Sequence, residues 1–257
     1  MLKKIITLAL ASVFTVVAAS GCKKKEAANT TGTDTVKTIV VGTNAEFAPF
    51  EYFQGEKIVG FDIELVDEIA KTIGRKVEYK HMAFDALLLA MQAGKIDMIA
   101  SGMTATEERR KHVNFTDTYY TAKQSLIIKE GTPITGFDGL EGKKIGVVIG
   151  YTGDIIATEK YGKTANITRY SGLSESIMGI SSGRVDVLVM DDAPARKYVS
   201  LNKGLAAVEI DAAKEEYAFA LPKGKEQLVQ EINEAIKKVK ESGKFDELVD
   251  KYFTSEK

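Results

Sequence analysis

The sequence is poorest in the residues that cross-link chains or bind metals. It holds one cysteine among 257 residues, so no disulfide can form within the chain. Its two histidines, His81 and His112, show no metal-ligand spacing and read as surface residues, so no metal and no cofactor is expected. No sign of charge dominates: 35 basic side chains stand against 36 acidic ones, which leaves no electrostatic footprint for nucleic acid. An apolar run from Ile5 to Ala19 is too short for a comfortable membrane span. What remains is a chain long enough for one large or two modest domains with proper cores.

That apolar run has a different use. Lys3 and Lys4 precede it and Ala18-Ala19-Ser20-Gly21-Cys22 follows it, the pattern of a basic n-region, an h-region and a small-residue cleavage site. Residues 1–21 therefore read as a signal peptide. Cys22 resembles the lipobox cysteine of bacterial lipoproteins, whose thiol is acylated and becomes the mature N-terminus. From Lys23 to Thr35 the chain has no periodic apolar pattern, and 22–36 reads as a lipidated cysteine with a flexible tether. The expected protein is exported and held on a membrane face, outer or periplasmic, without spanning the membrane.

The folded part is organised around Ile99-Ala100-Ser101-Gly102-Met103-Thr104-Ala105-Thr106-Glu107-Glu108-Arg109-Arg110. An apolar strand breaks at Ser101-Gly102, and two threonines followed by acids restart the chain as a helix. Such a junction aims backbone N–H groups and the positive end of the helix dipole at one point. Arg109, one turn into the helix, can turn back toward it, and its planar fork suits a small carboxylate.

Elsewhere strands and helices alternate. Lys37–Thr43 reads as a buried strand, and the loop Asn44–Tyr52 is rich in aromatics. Phe61–Ile73 has helical spacing stopped by Gly74, Val77–His81 is a strand, Phe84–Gln92 a helix and Ile96–Ala100 a strand. After a strand at Gln124–Ile128 the grammar restarts, with a strand at Lys144–Gly150 and a helix opened by Thr152-Gly153-Asp154. Met91–Ile99 parallels Ile180–Leu188: each is a helix end, a glycine, a basic residue, then a strand with Asp near its start. The first copy ends at Ser101-Gly102, the second at Asp191-Asp192. Tyr217–Leu221 reads as one strand, followed by an amphipathic helix through Leu228, Ile232, Ile236 and Val239 and a short terminal helix. This α/β alternation predicts two related lobes, 37–125 plus 218–257 and 126–217, joined by two hinge crossings near 123–129 and 216–220.

The motifs Asn44–Glu51, Val59-Gly60-Phe61-Asp62, Ser101–Arg109, Phe115–Tyr120, Gly150-Tyr151-Thr152-Gly153 and Gly243–Asp246 occur in order. With them the chain strongly resembles, over 37–253, the polar amino-acid-binding proteins of ABC importers. The resemblance implies a periplasmic-binding-protein-like type II fold and a monomeric receptor that clamps one free amino acid between its lobes. A permease and ATPase complex at the membrane would be its partner. It implies that Arg109, with the N–H groups of Thr104 and Thr152 at two opposed helix starts, holds the ligand's α-carboxylate. Asp191 would hold the α-ammonium, with the Ser101 side chain or the Gly102 carbonyl as further acceptors. Asp192 looks like the next helix's N-cap, and Thr106 a cap as well. Phe47 and Phe84 would sandwich the ligand side chain.

One departure bears on specificity. Many relatives selective for basic or amide side chains carry Asp where this chain has Asn44, and an amide cannot neutralise a cation. Glu51 or Glu46 would then be the carboxylate available to a basic side chain, and Tyr151, where relatives often have Thr, alters the pocket wall. The expected ligand is a polar amino acid, with basic ones included. Two rivals stand beside this reading: a dehydratase of the same fold, with Glu46 or Glu51 as general acid, and a solute-sensing module that docks on a receptor.

Overall fold

The computed structural model describes residues 37–210 and 214–254. The leader, Cys22 and the tether expected over 22–36 lie outside these residues. Two five-stranded sheets, each covered by helices, form two lobes, as the alternating pattern predicts.

The first lobe opens with β1 (Thr38–Thr43), a small meander of β2 (Glu46–Phe47), β3 (Glu51–Gln54) and β4 (Lys57–Val59), and α1 (Phe61–Thr72). Phe61, Leu65, Val66 and Ile69 form the buried stripe of α1. Gly74, at φ +66°, ends it by taking the left-handed conformation that returns the Arg75 N–H to the Ala70 carbonyl at 2.9 Å. β5 (Lys76–His81), α2 (Phe84–Gln92), β6 (Met98–Ile99), α3 (Glu107–His112) and β7 (Val113–Phe115) follow. β1 lies between β5 and β6, parallel to both.

β8 (Tyr120–Ala122) leads across to the second lobe, which contains β9 (Gln124–Lys129), β10 (Lys144–Val148), α4 (Thr152–Tyr161), β11 (Asn166–Tyr170), α5 (Leu173–Ser181), β12 (Val187–Asp191), α6 (Asp192–Leu201) and β13 (Leu205–Glu209). The chain then returns through β14 (Glu215–Tyr217) to β15 (Ala220–Pro222), α7 (Glu226–Glu241) and α8 (Lys244–Val249). Strand orders are β5-β1-β6-β15-β7 in one sheet and β11-β10-β12-β9-β13 in the other, the same plan twice. Thus the repeat seen in sequence is a repeat of structure. Asp97 Oδ2 accepts from the Val40 N–H at 2.9 Å, and Asp186 Oδ2 accepts from the Lys144 N–H at the same distance. Gly42 and Gly146 also correspond: a Cβ on either would meet a core side chain at 2.4 Å.

Two expectations change. The strand expected over Tyr217–Leu221 is split: β14 pairs with β8 in a two-stranded ribbon between the lobes, and β15 enters the first sheet between β6 and β7. Crossing from one lobe to the other forces the change of partner. The helix expected to restart at Thr104 begins only at Glu107, capped by Thr106, whose Oγ1 accepts from the Arg109 N–H at 3.2 Å. Met103–Ala105 instead runs against the ribbon, with the Ala105 N–H on the Glu216 carbonyl and the Ala218 N–H on the Met103 carbonyl. Thr104 therefore does not sit at a helix start, whereas Thr152 opens α4 as expected. The tail does pack back on the first lobe: Ile232, Ala235, Ile236 and Val239 bury one face of α7 beside α1, and Arg75 pairs with Glu231 at 2.6 Å.

Candidate functional site

The ends of β6 and β12 and the starts of α2 and α4 converge between the lobes. Gly102, at φ +47°, allows the chain to turn sharply after β6, and a Cβ there would strike the Phe47 ring at 2.6 Å. Gly153 has the same function in the other lobe: a Cβ would meet the Val189 carbonyl at 2.6 Å, so glycine lets α4 start close against β12. The space between is narrow: of about 220 Å³ of free space counted with its opening to solvent, only about 10 Å³ admits the centre of a water molecule. Phe47, Phe84, Ser101, Gly102, Thr104, Arg109, Thr152 and Asp191 line it, together with Tyr151. Asn44 and Glu51 do not. Both stand behind the wall.

Arg109 is buried and fixed at two points, donating to the Thr104 carbonyl at 2.8 Å and across the cleft to the Gly150 carbonyl at 2.9 Å. Its guanidinium lies 5.2 Å from the Phe84 ring centroid. Burial pushes its pKa down, and the carboxylates of Glu215 and Asp191 push it back up. A guanidinium has five N–H donors, so this anchoring leaves donors for an anion.

Asp191 ends β12 and is also the N-cap residue of α6, while Asp192 is that helix's first residue. Tyr217 donates its hydroxyl to Asp191 Oδ2, and Gln124 Nε2 donates to Oδ1. Gln124 also reaches Glu215 Oε1 at 2.6 Å, and Thr104 Oγ1 donates to Glu215 Oε2 at 2.6 Å. Burial first, then the charge of Glu215, holds the Asp191 carboxyl well above the ordinary carboxylate range, against the pull of Tyr217 and Gln124. Sequence reasoning missed Gln124, Glu215 and Tyr217. The only local hint is that Glu215 and Tyr217 are buried around an exposed Glu216, a charge on the inner face of a strand.

A second carboxyl pair lies behind Ser101-Gly102. Glu51 Oε1 accepts from the Ser101 hydroxyl at 2.9 Å, and Asp62 Oδ2 accepts from the Gly102 N–H at 2.9 Å and the Tyr119 hydroxyl at 2.6 Å. The other oxygen of each has no hydrogen-bond partner. Burial, then Asp62, pushes Glu51 well up, and burial pushes Asp62 up to about 6. Asn44 is likewise committed: its Nδ2 donates to the Met82 carbonyl at 3.0 Å, and its Oδ1 accepts from the Tyr151 hydroxyl at 2.9 Å.

The lobes are shut on each other. Besides Arg109 to Gly150 and Tyr151 to Asn44, the Tyr198 hydroxyl donates to the Glu46 carbonyl at 2.8 Å. The Ser174 N–H donates to Glu46 Oε2 at 3.3 Å. His81 and His112 are exposed as expected, although His81 Nδ1 accepts from the Ala45 N–H at 3.1 Å. Among the described residues no His, Cys, Asp and Glu cluster could hold a metal ion, and no helix is long and apolar enough to cross a membrane.

A two-lobed fold joined by a two-stranded ribbon, with Arg109 and Asp191 lining one space between the lobes, is the architecture of a solute-binding protein. Residues 39–255 match the family described as bacterial extracellular solute-binding proteins, family 3. The chain belongs to that family. A probable histidine-binding protein of Neisseria gonorrhoeae is 35% identical, over 99% of this chain and 97% of its own. The arginine-binding extracellular protein ArtP of Bacillus subtilis is also 35% identical, over the whole of both chains. Among solved structures, the arginine-, lysine-, histidine-binding protein ArtJ of Geobacillus stearothermophilus superposes with a TM-score of 0.82. It is 39% identical and covers 86% of this chain and 97% of its own.

Proposed function

We propose that this protein is the substrate-binding lipoprotein of an ABC importer, anchored through Cys22, which captures a free polar L-amino acid and delivers it to a permease. The observation that carries the reading is the pairing of Arg109 with Asp191 on one enclosed cavity. Arg109 takes the α-carboxylate with both arms of its fork, helped by the N–H groups of Thr104 and Thr152, of which only Thr152 has a helix dipole behind it. Asp191 takes the α-ammonium, with Ser101 and the Gly102 carbonyl completing its shell. Phe47 and Phe84 flank the side chain. Closure swings lobe 1 (37–125 and 218–257) against lobe 2 (126–217), and the protein works as a monomer. The amino-acid-binding roles of the relatives support an amino-acid ligand.

The dehydratase reading needs a general acid in the cavity. Glu46 and Glu51 were its candidates, but Glu46 is spent on the Ser174 N–H and Glu51 lies behind Ser101. This favours a receptor over an enzyme. A thermal-shift screen of protein refolded to remove carried-over ligand, against the twenty amino acids, tests the proposal. A ligand that binds only the folded state raises stability by RT ln(1 + [L]/Kd), so a tight one stands out. No shift from any of them would sink the receptor reading. Cys22→Ser should release the protein from membranes, and continued membrane association would rule out the lipid anchor.

A further inference from the structure

Phe47 and Phe84 do not face an empty slot. The ring of Tyr151, from the other lobe, stands against both: its centroid is 5.4 Å from Phe47, edge-on at 89°, and 4.7 Å from Phe84 at 68°. Edge-to-face contacts of this kind are the favoured aromatic geometry. Tyr151 is buried, and its backbone is ordinary extended chain at φ −70° and ψ 158°, so the ring is placed without strain. Its hydroxyl closes the far end on Asn44 Oδ1, and the Asn44 amide nitrogen donates to the Met82 carbonyl.

From these contacts we infer that Tyr151 is a specificity-determining residue, a plug that restricts the receptor proposed above to amino acids with short, uncharged side chains. Serine, threonine and cysteine are the class; the proposal rests on that receptor reading. Three observations converge on it. A long side chain entering between Phe47 and Phe84 must expel the Tyr151 ring, breaking two ring contacts and the bond to Asn44. The carboxylates considered for a cationic head are already engaged or walled off: Glu46 accepts from the Ser174 N–H of α5, and Glu51 and Asp62 are sealed behind Ser101-Gly102. The acids that do reach the cavity region, Asp191 and Glu215, are gathered at the Arg109 end by Tyr217, Gln124 and Thr104, where the ligand's own ammonium and carboxylate belong.

Calorimetric titration of the ligand-free chain with individual amino acids tests the inference. The expected result is at least tenfold tighter binding of one or more of the short, uncharged class than of arginine, lysine, histidine or glutamine. Equal or tighter binding of a long or charged amino acid overturns the plug and leaves the receptor reading standing. Binding of none of the twenty overturns the receptor reading, and the plug with it. Tyr151→Thr should improve glutamine or arginine binding at least tenfold, and no gain would count against the plug. Tyr151→Phe keeps the ring and loses only the bond to Asn44, so its preference should stay within about threefold of wild type. If the Phe variant admits long side chains as Thr does, the ring is not what excludes them.

Discussion

Two pairs of buried acids sit on opposite sides of one wall, and they are not equivalent. Glu51 and Asp62 lie behind Ser101-Gly102, where one oxygen of each has no partner. Asp191 and Glu215 lie beside the cavity, where every carboxylate oxygen meets a donor from Tyr217, Gln124 or Thr104 and the Arg109 cation is near. Burial raises both Glu51 and Asp191. What separates them is placement: Asp191 lines the cavity and Glu51 does not. A buried carboxyl thus braces the frame on one side and, in the function proposed above, meets the ligand on the other.

That contrast can be broken from the ligand side first. Arg109→Ala should cost roughly 2–5 kcal/mol of binding, the usual effect of truncating one partner of a buried charge pair. Calorimetry reads it, and an unchanged Kd would place the carboxylate elsewhere. The sealed pair should instead act on stability. A carboxyl raised from its unfolded value to about 6 stabilises the fold fully below about pH 4 and loses that contribution as the pH rises through 6. For Asp62 the rise to about 6 corresponds to roughly 3 kcal/mol. Asp62→Asn keeps an acceptor for Gly102 and Tyr119 and should flatten the decline, seen as urea midpoints that change less between pH 4 and 7. Identical slopes in both proteins would mean that Asp62 does not titrate there.

The cavity-side pair gives the third and smallest effect. Because Asp191 starts high and must be ionised to hold an ammonium, binding should release protons and weaken as the pH falls. Asp191→Asn should lose about 2 kcal/mol of affinity at neutral pH, in the range of a hydrogen bond to a charged group, and most of this pH dependence. A variant that keeps the wild-type pH profile would assign the titration to another group, with Glu215 the next to replace.

Much of this was legible along the chain because the signals were local. Helix α1 stops where Gly74 can turn left-handed, Thr106 caps α3, and Phe84 starts α2 where expected. The repeated Asp97 and Asp186 do the same work in both lobes. Arg109 and Asp191 were readable as candidate site residues because Asp191 ends a strand and Arg109 sits on the helix after one, the side of a sheet where this architecture gathers ligands. The hinge was legible only as a location. Tyr217–Leu221 has the composition of one strand, yet its halves pair in different sheets.

Sequence alone therefore determined the periodic elements, the doubled βα plan and the oppositely charged groups that the two lobes bring forward. Side-chain alternation, glycine stops and caps act over a few residues and are written in the chain itself. Tertiary structure decided which acids face the cavity, because Gln124 reaches Glu215 only when the ribbon joins positions 91 residues apart. It also decided that Asn44 meets Tyr151 from 107 residues away. Contacts of that range depend on how two sheets close over one hinge, and no local pattern encodes that closure.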